Sequence, residues 1–528
     1  MKRCPECRRD YYDDTLLYCL DDGKSLLEGP GGRRIEENET VILGGKDLNR
    51  RSSGERSNIN SSLPESQTNS IAVLPFVNLS TNAENEYFCD GLAEEILNAL
   101  ARVERLKVAA RTSAFSFKGR NANVAEISSA LNVETVLEGS VRRSNDRLRI
   151  TAQLVNAADG YQLWSERYDR ELKDIFDVQD EIAVAVVDAL KIRLLGGEKS
   201  ALLKRQTEDP KAYEFYLRGQ SHFNRWTPAD FQKAIENFDR AIAIDPNYAG
   251  AHAALADAHT ELAFFSFTPN DARQRASMAA NAAMRLDDNL AEAHVSLGLI
   301  KLYFDWDYAG AEAEFKRAIE LNPGGSYVRM WYGWFLGLMG RFDESLVELQ
   351  RARDVDPLAA PNINAIGVVN LWAGRTDLAI EKLHEVLDLY PKYVIALSFL
   401  AEAYAQKGDL NSAVATIEKI DPEAMDPQAL SIRGNIFARS GEREKAEKIL
   451  GELDLRSSRE YVPALNFAQI HAGLGDHEQA LAWLEKAAVE RAVWIPFLKV
   501  DLKFNLLRAD PRFNDLLRKT GFSEYENN

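Results

Sequence analysis

From about Asp209 onward the chain is written in a period of 34 residues. Pro323, Pro357 and Pro391 are spaced by that interval, and Pro246 opens the series. Each proline sits just past an amphipathic segment, in Ala-Ile-Asp-Pro, Leu-Asn-Pro, Val-Asp-Pro and Leu-Tyr-Pro. Proline cannot continue a helix, so each one closes a helical stretch and frames the next. A fixed period of this length implies stacked helical hairpins. Setting each proline at position 32 of its unit exposes three offsets where residues are small. Position 27 holds Ala241, Ala318 and Ala352, with Val386 as the exception. Position 20 holds Ala234, Ala311, Ser345 and Ala379, and position 8 of the following units holds Ala256, Gly333, Gly367 and Ala401. Paired helices approach to roughly 8–10 Å, and bulky residues at the crossing would splay them. A simple four-helix bundle would need no such period.

This pattern closely resembles the tetratricopeptide repeat (TPR). Eight units begin near Ala212, Gly250, Ala291, Ser326, Ala360, Val394, Pro427 and Tyr461, the second with an insertion around 264–270. The expectation is an all-α superhelical solenoid over 209–490, with a capping segment at 491–528. The resemblance implies a concave face lined by positions 2, 5, 9, 12 and 13 of each first helix. Those positions include Tyr327, Met330, Trp334 and Leu338 in the fourth unit, and Asn364, Val368, Leu371 and Trp372 in the fifth. In the seventh they include Gln428, Asn435 and Arg439. Rings beside amides suit an extended protein or peptide partner, since rings bury area and amides bond a backbone. The same rings could instead pack inside a tight superhelix, and the sequence leaves both readings open.

The N-terminal 28 residues carry a different signal. Cys4-Pro-Glu-Cys7, a short excursion, and Cys19-Leu-Asp-Asp22-Gly have zinc-ribbon spacing, with Asp22 where a fourth cysteine would stand. Cys4, Cys7, Cys19 and Asp22 make a plausible tetrahedral set for a structural Zn2+. The alternative is a degenerate ribbon without metal. The module resembles the short zinc ribbons at bacterial N-termini, with Tyr18 in place of their phenylalanine. So small a module buries too little to fold unaided, and metal would supply its stability. Residues 29–69, rich in Gly, Ser, Asn and Arg, show no apolar period and are expected to form a disordered linker.

Residues 70–195 alternate strand and helix signals. Strands are expected at 71–77, 106–110, 133–143, 147–155 and 161–168, with helices after Asp90, at Val124–Leu131 and at 175–195. That order predicts an α/β sandwich with helices on one face of a mixed sheet. The stretches Ile71-Ala-Val-Leu-Pro-Phe, Tyr87-Phe-Cys-Asp-Gly-Leu-Ala-Glu-Glu-Ile, Leu137-Glu-Gly-Ser-Val-Arg and Leu163-Trp-Ser-Glu-Arg-Tyr-Asp-Arg resemble the TolB amino-terminal-like (FlgO-related) domain. In that family TPR units commonly follow and an output module often precedes; here the zinc ribbon and linker stand in that place, so the resemblance implies a signalling or assembly architecture and not an activity. The fold class is therefore multidomain: zinc ribbon, α/β sandwich, TPR solenoid.

A net charge of −17 argues against nucleic acid as a partner, because such binding neutralises phosphates. No apolar run reaches the length of a transmembrane helix and no signal peptide is visible, so the expected location is the cytoplasm. No His-Glu-x-x-His, no nucleophile elbow and no phosphate-cradling loop occurs. His252, His259, His294 and His471 fall at slots that repeats fill with packing residues. Cys89 opens a helix but reads as a small buried residue. The chain is expected to be no enzyme but a bacterial protein-interaction adaptor. The alternatives are a regulator whose repeats and TolB-like domain sense a partner or ligand, and an enzyme with an unrecognised interdomain site.

Overall fold

A computed structural model describes residues 2–3, 10–11, 27–28, 69–80, 85–103, 105–192, 194, 199, 202, 205–225, 227–265, 268–421 and 425–522. The chain divides into two units, Met1–Ser66 and Gln67–Asn528. In the first, strand β1 (Lys2–Arg3) pairs antiparallel with both β2 (Asp10–Tyr11) and β3 (Leu27–Glu28). Cys4, Cys7, Cys19 and Asp22 lie outside the described residues, as does the expected linker up to residue 68.

The second unit begins with a mixed sheet. Its strands are β4 (Asn69–Val73), β5 (Val77–Asn78), β6 (Leu106–Val108), β7 (Thr135–Ser144), β8 (Arg147–Asn156) and β9 (Gln162–Glu171). The order is β6-β4-β7-β8-β9, with β5 also on β7. The β6, β4, β5 and β7 contacts are parallel and the last two antiparallel. The single strand expected over 71–77 is interrupted at Leu74-Pro75-Phe76, since proline has no N–H for the ladder.

Helices cover both faces at the parallel end of the sheet, which corrects the expectation of one face. Glu86–Leu100 and Ile175–Ala189 pack on Ile71, Val73, Leu137 and Ile150. Arg111–Phe115 and Val124–Leu131 cover Ala72 and Val136 on the opposite side. The physical reason is the strand pattern: Ile71-Ala-Val is apolar at every residue, and parallel strands of that kind need cover on both sides. In β8 the alternation is clean, with Leu148, Ile150, Ala152 and Leu154 inward and Arg147 and Arg149 in solvent.

Eight helical pairs follow among the described residues, from Pro210–Phe223 with Pro228–Ile244 to Ala464–Leu474 with His477–Val489. Their starts are written locally. Asp209 precedes Pro210 and accepts from the N–H groups of Lys211 and Ala212 at 2.8 and 3.0 Å. Asp426 before Pro427 does the same for Ala429 at 2.7 Å. Proline at the first helical turn has no N–H to waste there. The small-residue positions act as the period requires. A Cβ on Gly333 would lie 2.7 Å from Leu349 of the paired helix, so the crossing is closed to any larger residue.

The chain after the eighth pair packs on that pair, where a capping segment is expected, and also reaches farther. It forms two 3-10 turns, Ile495–Lys499 and Leu502–Leu507, and the helix Pro511–Lys519. This segment runs back against the third to sixth pairs. Arg491 donates to the carbonyl of Phe304 at 2.7 Å, and Phe522 stacks on Tyr308 with ring centres 4.7 Å apart. The superhelix is thus tight enough for its own C-terminal chain to occupy its interior. Among the described residues no helix is long and apolar enough to cross a membrane.

The sheet portion and the repeats are joined at two places. Tyr87 donates to Glu214 at 2.5 Å, and Arg218 donates to both. Far along the chain, Ser113 meets Asp356, the residue that ends Phe342–Val355.

Candidate functional site

The first helices of the repeats place positions 9 and 13 on the inner wall of the superhelix. In the fourth and fifth units these are Trp334 and Trp372, and they touch, with ring centres 4.9 Å apart. Trp334 also donates its indole N–H to the Tyr303 hydroxyl at 3.1 Å. Trp372 is buried, whereas Trp334 is half-buried and lines the cavity described below. Phe497 of the C-terminal segment packs on both, 6.1 Å from Trp334 and 5.8 Å from Trp372. Trp494 extends the contact to Phe264 at 5.1 Å.

The other residues expected to meet a partner divide into two groups. Met330 and Asn364 border an interior cavity and are buried. Tyr327 is half-buried and donates to Asp257 at 3.0 Å. Val368 is fully buried in the packing between repeats and offers a partner no surface. Asn435 spends its amide on the carbonyl of Gln469 at 2.7 Å, which ties the seventh pair to the eighth. Arg439 donates to the carbonyl of Ala405 at 2.6 Å. At this end the C-terminal segment brings in Lys503, whose ammonium lies 2.7 Å from Glu402 and 3.2 Å from Asp501. A buried cation held by two carboxylates fastens the segment to the sixth unit.

What remains of the interior is a cavity of about 180 Å³. Its walls are rings: Phe264, Tyr303, Trp331, Trp334 and Phe497 among them. Its polar atoms are few, and they include the indole N–H groups of Trp331 and Trp494, which among the described residues are buried without an acceptor. Glu261 lines it at 4% exposure, and among the described residues no side chain hydrogen-bonds or ion-pairs with its carboxyl. Burial, reinforced by nearby Asp257, pushes the Glu261 carboxyl up to about 8. Burial likewise pushes Asp257 up to about 7, against the hydrogen bonds it accepts from Ser296 and Tyr327. Asn364 Oδ1 and Gln428 Oε1, also on the cavity, are buried with no donor.

Asp257 and Glu261 were legible and were missed. They hold positions 9 and 13 of the second unit, the register slots of Trp334 and Leu338 in the fourth. Phe497 had no such signal, because it lies outside the period.

His259 is buried, and its imidazole is pulled down to about 4 mainly by that burial. His294 sits between Glu314 and the carbonyl of Asp288. Cys89 is buried, and burial raises its thiol to about 12.

Tetratricopeptide-repeat family models match residues 371–436 and 462–486. Over these two stretches the helical pairs match tetratricopeptide repeats. Residues 66–185, nearly the stretch that resembles a TolB amino-terminal-like domain, match the model of the second domain of HilA/YgeH-like transcriptional regulators. A protein of Rhizobium meliloti (strain 1021) named "Putative adenylate cyclase 3" is 38% identical over 237 residues, 44% of this chain and 40% of that one. Transcriptional regulator HilA of Salmonella typhimurium is 30% identical over 158 residues, 30% of this chain and 28% of its own. The chain thus spans less than half the length of these two relatives. Among solved structures, the type IV pilus biogenesis factor PilW aligns with a TM-score of 0.32 at 21% identity, over 39% of this chain and 94% of its own.

Proposed function

We propose that this chain is the sensing module of a bacterial, cytoplasmic, signalling or transcription-associated regulator and has no catalytic activity of its own. A partner or ligand engages the interior of the TPR superhelix, and the TolB-like sheet domain relays that event to an output module. One observation carries the reading. The helix Ala360–Trp372 has Pro361, Asn364 and Ala365 on the interior cavity, and the turn leading into it is held by the sheet domain. Ser113 binds Asp356 there, and Leu358 donates to the Ser113 hydroxyl at 2.7 Å. Asn362 of the same helix donates to the carbonyl of Asp356 at 3.3 Å. Anything that moves this helix from inside the superhelix pulls on the sheet domain. The regulators named among the relatives support the same reading.

The test fills the cavity without knowing its occupant. Ser398→Leu places an apolar side chain into the cavity from the neighbouring helix Val394–Lys407. Hydrogen exchange at Arg111–Phe115 should change while the amides of the seventh and eighth pairs keep their rates. Unchanged exchange at that joint would overturn the reading.

A second reading is favoured by Trp334 and Trp372, which are covered on the inner side by the Phe497 ring of a terminal segment. If that segment yields, the two rings become the anchors of a protein-binding adaptor groove. Phe497→Ala would then raise capture of a protein partner.

A further inference from the structure

We propose that the interior cavity binds a small organic ammonium compound, with its apolar body among the rings and its charged head on Glu261. This rests on reading the superhelix interior as the sensing site and names the chemistry of its ligand.

The argument is one of unmet hydrogen bonds. Glu261 offers a carboxyl that no described side chain engages. Asn364 Oδ1 and Gln428 Oε1 are buried acceptors without donors. A polar group buried without a partner is costly, and native interiors keep few of them. Trp331 and Trp494 set buried indole N–H groups without acceptors on the same wall, so the neutral groups there favour neither sign, and Glu261, the carboxyl left without a side-chain partner, sets the charge of the ligand. Among the described residues no lysine, arginine or histidine lines the space, and the other acid on its wall, Asp426, is engaged as the cap of Ala429. An anion would therefore meet carboxyl groups and no counter-charge. A neutral apolar guest would fill the rings and leave the three oxygens as they are. A primary ammonium has N–H donors and one positive charge, which suits the Glu261 carboxyl and favours its carboxylate over its acid form. The faces of Trp334 and Tyr303 attract a cation further, through the ring quadrupole. A space of about 180 Å³ suits a small molecule.

The experiment uses the full chain and three probes of one shape: 2-phenylethylammonium, 2-phenylethanol and 3-phenylpropanoate. Calorimetry and the fluorescence of the cavity tryptophans read binding. The ammonium should bind at least about tenfold more tightly than the alcohol, and the carboxylate weakest of all. Glu261→Gln keeps the volume and should reduce the ammonium preference by about tenfold, with the melting temperature maintained or raised. Asn364→Leu should weaken the ammonium more than the alcohol. Equal binding of ammonium and alcohol, or an ammonium affinity indifferent to Glu261→Gln, would overturn the proposal and leave an unselective apolar cavity. Failure of all three probes to bind would also overturn it. If Ser398→Leu still alters exchange at Arg111–Phe115 in that case, the sensing reading survives and only the ligand class falls.

Discussion

Asp356 Oδ1 accepts two hydrogen bonds from Ser113, one from its backbone N–H at 2.8 Å and one from its hydroxyl. The pair is separated by 243 residues. It solves a local problem with a distant group. The helix Arg111–Phe115 follows Ala110, which has no side chain able to cap it. Ser113 is its third residue, whose N–H has no partner within the helix. A carboxylate from the end of a repeat takes the role of the missing cap.

Removing that carboxylate should therefore be felt in the sheet domain. Asp356→Ala is expected to cost about 1–3 kcal/mol, since it strands the buried Ser113 donors. Thermal unfolding measures the loss, and faster exchange at Arg111–Phe115 locates it. Ser113→Ala should cost a comparable amount, because it leaves a buried carboxylate short of a donor.

Trp334 is a packing residue in this structure before it is anything else. Trp334→Ala should cost about 3 kcal/mol or more, through lost contact with Trp372 and Phe497 and a cavity left behind. A melting temperature that stays near that of the parent would return Trp334 to the role of an anchor waiting for a partner.

Lys503, Glu402 and Asp501 are all nearly buried, with the Lys503 ammonium between the two acids. Lys503→Met should destabilise by about 3–5 kcal/mol, because two buried carboxyl groups lose their cation. Pairing Lys503→Met with Glu402→Gln should recover part of the loss, measured by denaturant unfolding.

Glu261 and Asp257 make stability fall as pH rises. Their ordinary values are 4.5 and 3.8, and burial lifts them to about 8 and about 7 in the fold. Between those limits the native state holds protons that the unfolded chain has released. Their contribution is therefore complete below pH 3.8 and is lost as pH climbs through 7 and 8. The slope is up to roughly 1.4 kcal/mol per pH unit for each group. The Tyr327 and Ser296 donors on Asp257 oppose its shift and reduce its share. Glu261→Gln should flatten the curve of unfolding free energy between pH 5 and pH 8.5, and an unchanged slope would refute the assignment.

The N-terminal cysteines lead to a separate expectation. The full chain should carry about one zinc ion, held by Cys4, Cys7, Cys19 and Asp22, and Cys7→Ser should abolish it. Metal analysis of the purified protein decides this, and a metal-free wild-type chain would refute it.

The repeats were readable because their causes are local. A proline ends a helix by its own chemistry, Asp209 caps the helix that begins one residue later, and Gly333 must be small to let its own hairpin close. Such constraints recur at each turn of the period and leave a trace in the order of residues. The strand pattern of β8 is of the same kind, since alternation along one strand needs only one buried face.

What fills the superhelix was decided at long range. Phe497 follows no period, and nothing around it in the chain marks its place against Trp334 and Trp372. That contact exists because the small rotation between successive repeats accumulates until the coil closes on its own C-terminal segment. The same curvature brings Glu261 of the second unit and Gln428 of the seventh to one cavity, and Ser113 to Asp356. The sequence by itself determined the hairpins and their inward-facing positions. Only the tertiary structure decided what those positions meet, because curvature is a sum over all eight pairs and belongs to no single one of them.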